Sequence, residues 1–249
     1  AKRRISSAWL QPPPLPTLEW ITTDDVRGRA ADGFRDNVHP TLFLQYTSGS
    51  TADPKGVIVS QDNLVFNAHA TLTHVPQAVS WLPQYHDMGL IGYYLFPLIL
   101  GGSVHGFSPL NFLKRPALWL QTITKYRGTI TSSPNFGFEY CLREDKFPDE
   151  DLEGLDLSSL SFMMNAAEPV RADTYTRFLE RFEPCGLSRD AHVVAYGLAE
   201  NTLCVSNWGR QIVTVTKHLL QQGTLHLENY QAQNNNQVLL EVSNLKVAY

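Results

Sequence analysis

An α/β fold, with a layered, largely parallel sheet flanked by helices, is predicted by three features of this sequence. From Thr41 to Ala195, short β-type runs alternate with helix-length amphipathic stretches. Successive runs are far enough apart for a crossover helix, which parallel pairing requires and a hairpin does not. The chemically distinctive segments follow directly after β-type runs, at the edge where parallel sheets bind ligands. With 249 residues, 43% of them hydrophobic, the chain can bury the core that such a sheet needs.

The elements follow in order. Residues 1–40 form an N-terminal linker or edge segment, since Gln11-Pro12-Pro13-Pro14-Leu15-Pro16-Thr17 must be extended. Thr41–Tyr46 and Val57–Ser60 read as strands around a polar loop. Ser60 can cap a helix over Gln61–Leu72, whose Leu64, Val65, Ala68 and Leu72 make an apolar stripe. A strand at Val79–Leu82, a helix over Met88–Leu100 and a short strand near Val104 come next. A helix over Leu110–Tyr126 leads to a strand at Thr129–Ser132, then a helix over Asn135–Glu144. Leu160–Asn165 is a strand, Arg171–Glu183 a helix with Tyr175, Phe178 and Phe182 on one face, and His192–Ala195 a strand. Residues 41–205 are therefore the core. In residues 206–249, β-type runs at Ile212–Thr216, Thr224–Glu228 and Val238–Val242 flank the polar turn Gln231–Gln237, as in the beginning of a truncated β-rich subdomain. Ala1 is not an initiator methionine, and both ends are expected to be cut from something longer.

Several function classes are excluded. Net charge is −4 with a pI near 6.1, and the basic residues are scattered, so nucleic acid is not an expected partner. Cys141, Cys185 and Cys204 are odd in number and lack CxxC spacing, which points to a reduced, cytoplasmic protein. The uncharged stretch Met88–Val104 holds Pro97 and four glycines and is too short for a transmembrane segment. Lys2-Arg3-Arg4 precedes no apolar run of the kind a signal peptide has. The histidines other than His86 show no metal-ligand spacing, and there is no Gly-x-Ser-x-Gly elbow.

Four segments carry chemistry. In Thr47-Ser48-Gly49-Ser50-Thr51-Ala52-Asp53-Pro54-Lys55-Gly56, four hydroxyls, two glycines and a lysine lie between two apolar strands. Glycines let backbone approach an anion, successive N–H groups can form an anion nest, and Lys55 supplies a mobile charge. That suits a polyphosphate, although the Walker A spacing is missing and a strand follows; a solvated hairpin is the plain alternative. In Tyr85-His86-Asp87-Met88-Gly89, His86 could orient a carboxylate while Asp87 fixes its tautomer, against the alternative of a surface turn. Asn165-Ala166-Ala167-Glu168-Pro169-Val170 ends a strand, where Glu168 could equally serve as an anion at a helix N-terminus. In Tyr196-Gly197-Leu198-Ala199-Glu200-Asn201, Glu200 is a hard oxygen donor suited to Mg²⁺, or else a cap on a helix beginning near Ala199.

In this order and spacing the four segments resemble those of the adenylate-forming superfamily, and Leu82-Pro83-Gln84-Tyr85-His86-Asp87-Met88-Gly89-Leu90 is similar to its fatty-acyl-AMP ligase branch. Ser108-Pro109-Leu110-Asn111-Phe112-Leu113 and Ser133-Pro134-Asn135-Phe136 also look like that branch. The resemblance covers residues 40–205 well and implies part of an adenylate-forming large domain. It implies ATP and Mg²⁺ as cofactors and a fatty acid as substrate. The expected activity is formation of an acyl-adenylate with release of pyrophosphate, followed by transfer to an acyl carrier protein or CoA. It assigns the ATP phosphates to Thr47, Ser48, Gly49, Ser50, Thr51, Lys55 and Gly56, and the adenine to Ala167, Glu168, Pro169, Tyr196 and Gly197. His86, Asp87, Met88 and Gly89 would meet the substrate, Glu200 with Thr47 would hold the metal, and His86, Lys55 and Glu200 would be catalytic. Ala52 and Ala166 replace glycines usual in the family. The ribose-binding aspartate, hinge and C-terminal lysine domain are not in the chain, so the missing portions of the same enzyme are expected partners. An acyl-CoA synthetase and a non-catalytic nucleotide- or acyl-binding module are the competing readings. Tyr93, Tyr94 and Phe96 could line an acyl tunnel or simply fill the core.

Overall fold

The computed structural model describes residues 40–46, 55–210, 214–215, 218, 221–222 and 227–228. Most of the phosphate-loop candidate (47–54, including Ala52), the proline-rich segment (11–17) and the runs expected at 231–242 lie outside the described residues.

Strands β1 (Phe43–Tyr46) and β2 (Gly56–Val59) pair antiparallel, with Tyr46 opposite Gly56. Ser60 then caps α1 (Gln61–Thr71) in a reciprocal box: its hydroxyl accepts from the Asn63 N–H, and the Asn63 side chain accepts from the Ser60 N–H. The main sheet has the order β4-β3-β5-β6-β7-β8. Its members are β3 (Gln77–Ser80), β4 (Ser103–Gly106), β5 (Ile130–Ser133), β6 (Phe162–Asn165), β7 (His192–Gly197) and β8 (Cys204–Gly209). All pairings are parallel except β7 with β8. A separate antiparallel pair, Thr214–Val215 (β9) with Leu227–Glu228 (β10), lies beyond.

Helices cover both faces, as the crossover spacing requires. On one side Thr131, Met163 and His192 meet α5 (Ala117–Tyr126), α6 (Asn135–Cys141) and α7 (Ala172–Phe182). The Trp119 indole N–H donates to the Thr131 hydroxyl at 2.7 Å. The His192 ring is stacked on Phe138 of α6 and Tyr175 of α7, with centroids 4.9 and 4.2 Å apart. On the other side lie α1 and the helical run after His86.

Three expectations needed adjusting. The run expected at Met88–Leu100 is α2 (Asp87–Leu90), a π-helical turn (Ile91–Leu95) and α3 (Phe96–Ile99). Pro97 has no N–H, and its ring would strike the carbonyl four residues back. The wider π turn just before it relieves that clash. The helix expected over Leu110–Tyr126 is two, α4 (Pro109–Lys114) and α5, because Pro116 drives Arg115 out of the helical region to φ −148°, ψ 89°. Strand β8 was not anticipated: its half-exposed residues show no alternation, and it is recognisable only through its pairing with β7.

Candidate active site

His86 is the N-cap of α2, and its Nδ1 lies 3.2 Å from the Met88 N and 2.9 Å from Asp87 Oδ1. Asp87 Oδ1 also accepts from the Met88 N–H at 2.6 Å. The hydrogen bond from the ring to Asp87 raises the His86 pKa above its ordinary value, overcoming partial burial. Burial pushes the Asp87 carboxyl upward, but the His86 hydrogen bond and charge and the Met88 N–H outweigh it, and the net shift is downward. Gly89 is there for packing. A Cβ at this position would stand 2.2 Å from the Pro83 carbonyl oxygen, so only glycine lets α2 start against the preceding turn.

A cavity of about 170 Å³ opens beside this cap. Its walls include His86, Asp87 and Met88, the helical residues Gly92, Tyr93 and Phe96, and the sheet residues Met164 and Ala166. Ala167, Tyr196 and Gly197 complete its upper rim. Candidates from three separate segments thus converge at the carboxyl edge of the sheet. Ala167 takes φ +70°, a left-handed conformation costing about 1 kcal/mol for a residue with a Cβ. Ala166, where the resemblance led one to expect glycine, is buried, has no positive φ and is among the residues lining the cavity. Tyr93 and Phe96 are both core and cavity wall, whereas Tyr94 turns away towards Gly106.

Other candidates lie elsewhere. Glu168 does not line the cavity; its Oε1 accepts from the Phe136 N–H at 2.5 Å, at the N-terminus of α6. It is therefore an anion at a helix N-terminus, though of α6 rather than of the helix that follows it. Pro169 is exposed beside it. Glu200 is exposed in a three-residue 3₁₀ turn, Ala199–Asn201, so no helix begins there for it to cap. It lines a second cleft of about 300 Å³ with Val57 and Ile58 of β2 and Asp62 and Asn67 of α1. Lys55 is exposed at the entry to β2, and Gly56 is its first residue. Among the described residues no group of three acidic, histidine or cysteine side chains could hold a metal alone. A lone carboxylate completed by phosphate oxygens suits Mg²⁺, which seldom takes an all-protein cage.

Asn67 went unnoticed in the sequence. It is buried, its Nδ2 donates to the Cys204 and Asn201 carbonyls at 2.9 and 3.3 Å, and its Oδ1 accepts from the Cys204 N–H at 2.9 Å. It locks α1 to the turn bearing Glu200. Nothing in the local pattern around residue 67 could have revealed partners more than a hundred positions away.

Comparison with known proteins identifies the family of the chain. The profile of a family described as AMP-binding enzyme matches residues 10–231. A medium-chain-fatty-acid–[acyl-carrier-protein] ligase of Moorena producens is 41% identical over 197 residues, 76% of this chain and 33% of that protein. A 4-hydroxyphenylalkanoate adenylyltransferase of Mycobacterium tuberculosis is 43% identical over 189 residues, 73% of this chain and 30% of that protein. The crystal structure of a fatty acyl-adenylate ligase from L. pneumophila, in complex with acyl adenylate and pyrophosphate, superposes with a TM-score of 0.69 at 41% identity. The match covers 76% of this chain and 35% of that one. The chain thus spans about a third of the length of these relatives.

Proposed function

Because this chain belongs to the family of AMP-binding enzymes, we propose that residues 41–205 form the nucleotide- and acyl-handling core of an enzyme that activates a fatty acid as its adenylate. The observation that carries this reading is the convergence of His86–Asp87 with Ala167 and Tyr196–Gly197 on one apolar cavity at the carboxyl edge of the sheet. Such a cavity has a polar mouth for a carboxylate and an apolar interior for a chain.

In the reaction, a carboxylate oxygen of the fatty acid attacks the α-phosphorus of ATP. The bond from that phosphorus to the bridging oxygen breaks, and pyrophosphate leaves with the electron pair. The carboxylate is already a nucleophile, so the protein's task is positioning and charge neutralisation. His86 holds the substrate carboxylate beside Met88, with Asp87 orienting its ring and Gly89 letting α2 begin there. Adenine is held by Ala167, Tyr196 and Gly197, with Glu168 and Pro169 fixing that turn through α6. Thr47, Ser48, Gly49, Ser50, Thr51, Lys55 and Gly56 take the β- and γ-phosphates. Glu200 and the Thr47 hydroxyl offer hard oxygen donors for Mg²⁺, which would screen the phosphate charge when bound.

The acceptor is proposed to be an acyl carrier protein, by analogy with relatives named as acyl-carrier-protein ligases. Residues 206–249 are proposed to begin a β-rich subdomain, and the cytoplasm, where ATP and reduced thiols abound, is the proposed compartment. The test is fatty-acid-dependent exchange of labelled pyrophosphate into ATP by the full-length protein, followed by thiol capture. Exchange with straight-chain acids and loading of a phosphopantetheine carrier are expected. Formation of acyl-CoA instead would change the acceptor, and absence of exchange with every carboxylic acid would leave only a binding module.

A further inference from the structure

Two cavities among the described residues share a wall. The first is the one beside His86, which runs along a sheet face and ends on Leu72, Ile130 and Phe162. The second, about 200 Å³, begins at the same three side chains and reaches the opposite edge of the sheet at Thr129 and Ser161. Ile130 and Phe162 are register partners on β5 and β6, and Leu72 is the C-cap of α1. All three are nearly fully buried, at 5%, 3% and 6% exposure. Trp208, which lines the second cavity, packs edge-on against Phe162 with centroids 4.9 Å apart.

Successive side chains on a strand alternate, so Ala166, Met164 and Phe162 descend one face from the rim to the wall, over about 13 Å. A linear chain anchored by its carboxyl at the rim lies along that line and meets Phe162 at its far end. The wall is closely packed on the way down: Gly92 and Leu203 both line the cavity, and a Cβ at Gly92 would stand 3.2 Å from Leu203 Cδ2. Every methylene that fits against these apolar walls improves binding by about fourfold. That gain stops where the terminal methyl reaches close-packed side chains, because a further methylene must displace one of them.

The geometry points to Leu72, Ile130 and Phe162 as the stop that sets the longest acyl chain this site accepts, with the space behind them as overflow for longer chains once the stop is cut back. This rests on the acyl-adenylation reading and adds the residues that select among linear acids.

The experiment compares kcat/KM for octanoate, decanoate, dodecanoate, tetradecanoate and hexadecanoate in pyrophosphate exchange by the full-length protein. The wild type is expected to rise with length and then fall at least tenfold beyond a sharp limit. Phe162→Ala and Ile130→Ala should move that limit to longer acids, raising the hexadecanoate-to-decanoate ratio at least tenfold. Since loss of a buried ring can unfold the domain, Phe162→Leu and Leu72→Ala are measured beside them. A wild-type profile without a limit, or folded variants that keep the wild-type limit, overturns the assignment of the stop. Exchange with none of the acids would instead remove the adenylation reading beneath it, so the two failures are distinct.

Discussion

His86 shares its Nδ1 between two partners, and the sharing controls when the ring is charged. Protonated, Nδ1 donates to Asp87 at 2.9 Å, and the Met88 N–H keeps the Asp87 oxygen as acceptor. Neutral, with Nδ1 bare, the ring caps Met88 itself. The hydrogen bond to Asp87 raises the His86 pKa, so its positive charge persists to higher pH than in a free imidazole. A charged ring at the cavity mouth attracts a carboxylate, and that attraction is lost as pH rises through the raised pKa. In the full-length protein, KM for the fatty acid is therefore expected to climb with pH through one inflection, lying above that of an ordinary imidazole. Asp87→Asn removes the partner that raises the pKa and should move the inflection to lower pH. An inflection that stays in place in this variant would take His86 out of carboxylate binding. Glu168 shows the opposite division of labour: its carboxylate is spent on the N-terminus of α6, so it can touch a nucleotide only through the turn it steadies.

Between elements, two buried polar side chains have quite different roles. Asn67 satisfies both the N–H and the carbonyl of Cys204. Asn67→Ala would strand those buried groups and is expected to cost about 3 kcal/mol in urea denaturation of the full-length protein; a loss under 1 kcal/mol would mean that the α1 lock is unimportant. His192, between α6 and α7, has no hydrogen-bond partner on either ring nitrogen among the described residues, and burial lowers its pKa to about 3. Because the folded state holds it neutral while the unfolded chain protonates it near 6.5, acidification favours unfolding. Stability should fall from about pH 6.5 towards 3, by up to about 1.4 kcal/mol per pH unit. His192→Phe fills the same stack without titrating and should flatten that slope; an unchanged slope would place the acid sensitivity elsewhere. The start of α1 was readable because a local signal, the Ser60 cap, set it. At Pro116 the local signal was present and outweighed by the apolar periodicity around it. Edge strand β8 carried none, because its order comes from β7 and from Asn67.

Across the whole molecule, the candidate residues divide between two depressions. His86, Tyr196 and Ala167 border the apolar cavity, while Glu200 borders the cleft beside β2, the strand that follows Lys55. The motifs were legible because each is a short string whose chemistry is local. The acyl stop was not, because Leu72, Ile130 and Phe162 are ordinary apolar residues until folding sets them side by side. The division also yields a test of how the two depressions work together. If one ATP spans both, with adenine at the cavity rim and phosphates towards Lys55, then a carboxylate at Glu200 would repel the nucleotide unless a cation intervenes. Glu200→Gln in the full-length protein should then raise the Mg²⁺ needed for half-maximal adenylation about tenfold or more. The KM for fatty acid should stay within about twofold, since His86 and the cavity are untouched. The melting temperature should hardly change, because an exposed side chain in a 3₁₀ turn contributes little to folding. Lys55→Ala should instead raise the KM for ATP at every Mg²⁺ concentration, having lost a phosphate charge rather than a metal ligand. If Glu200→Gln leaves the Mg²⁺ titration in place while Lys55→Ala weakens ATP, the phosphates lie at Lys55 without Glu200, and the metal must be sought among other oxygens.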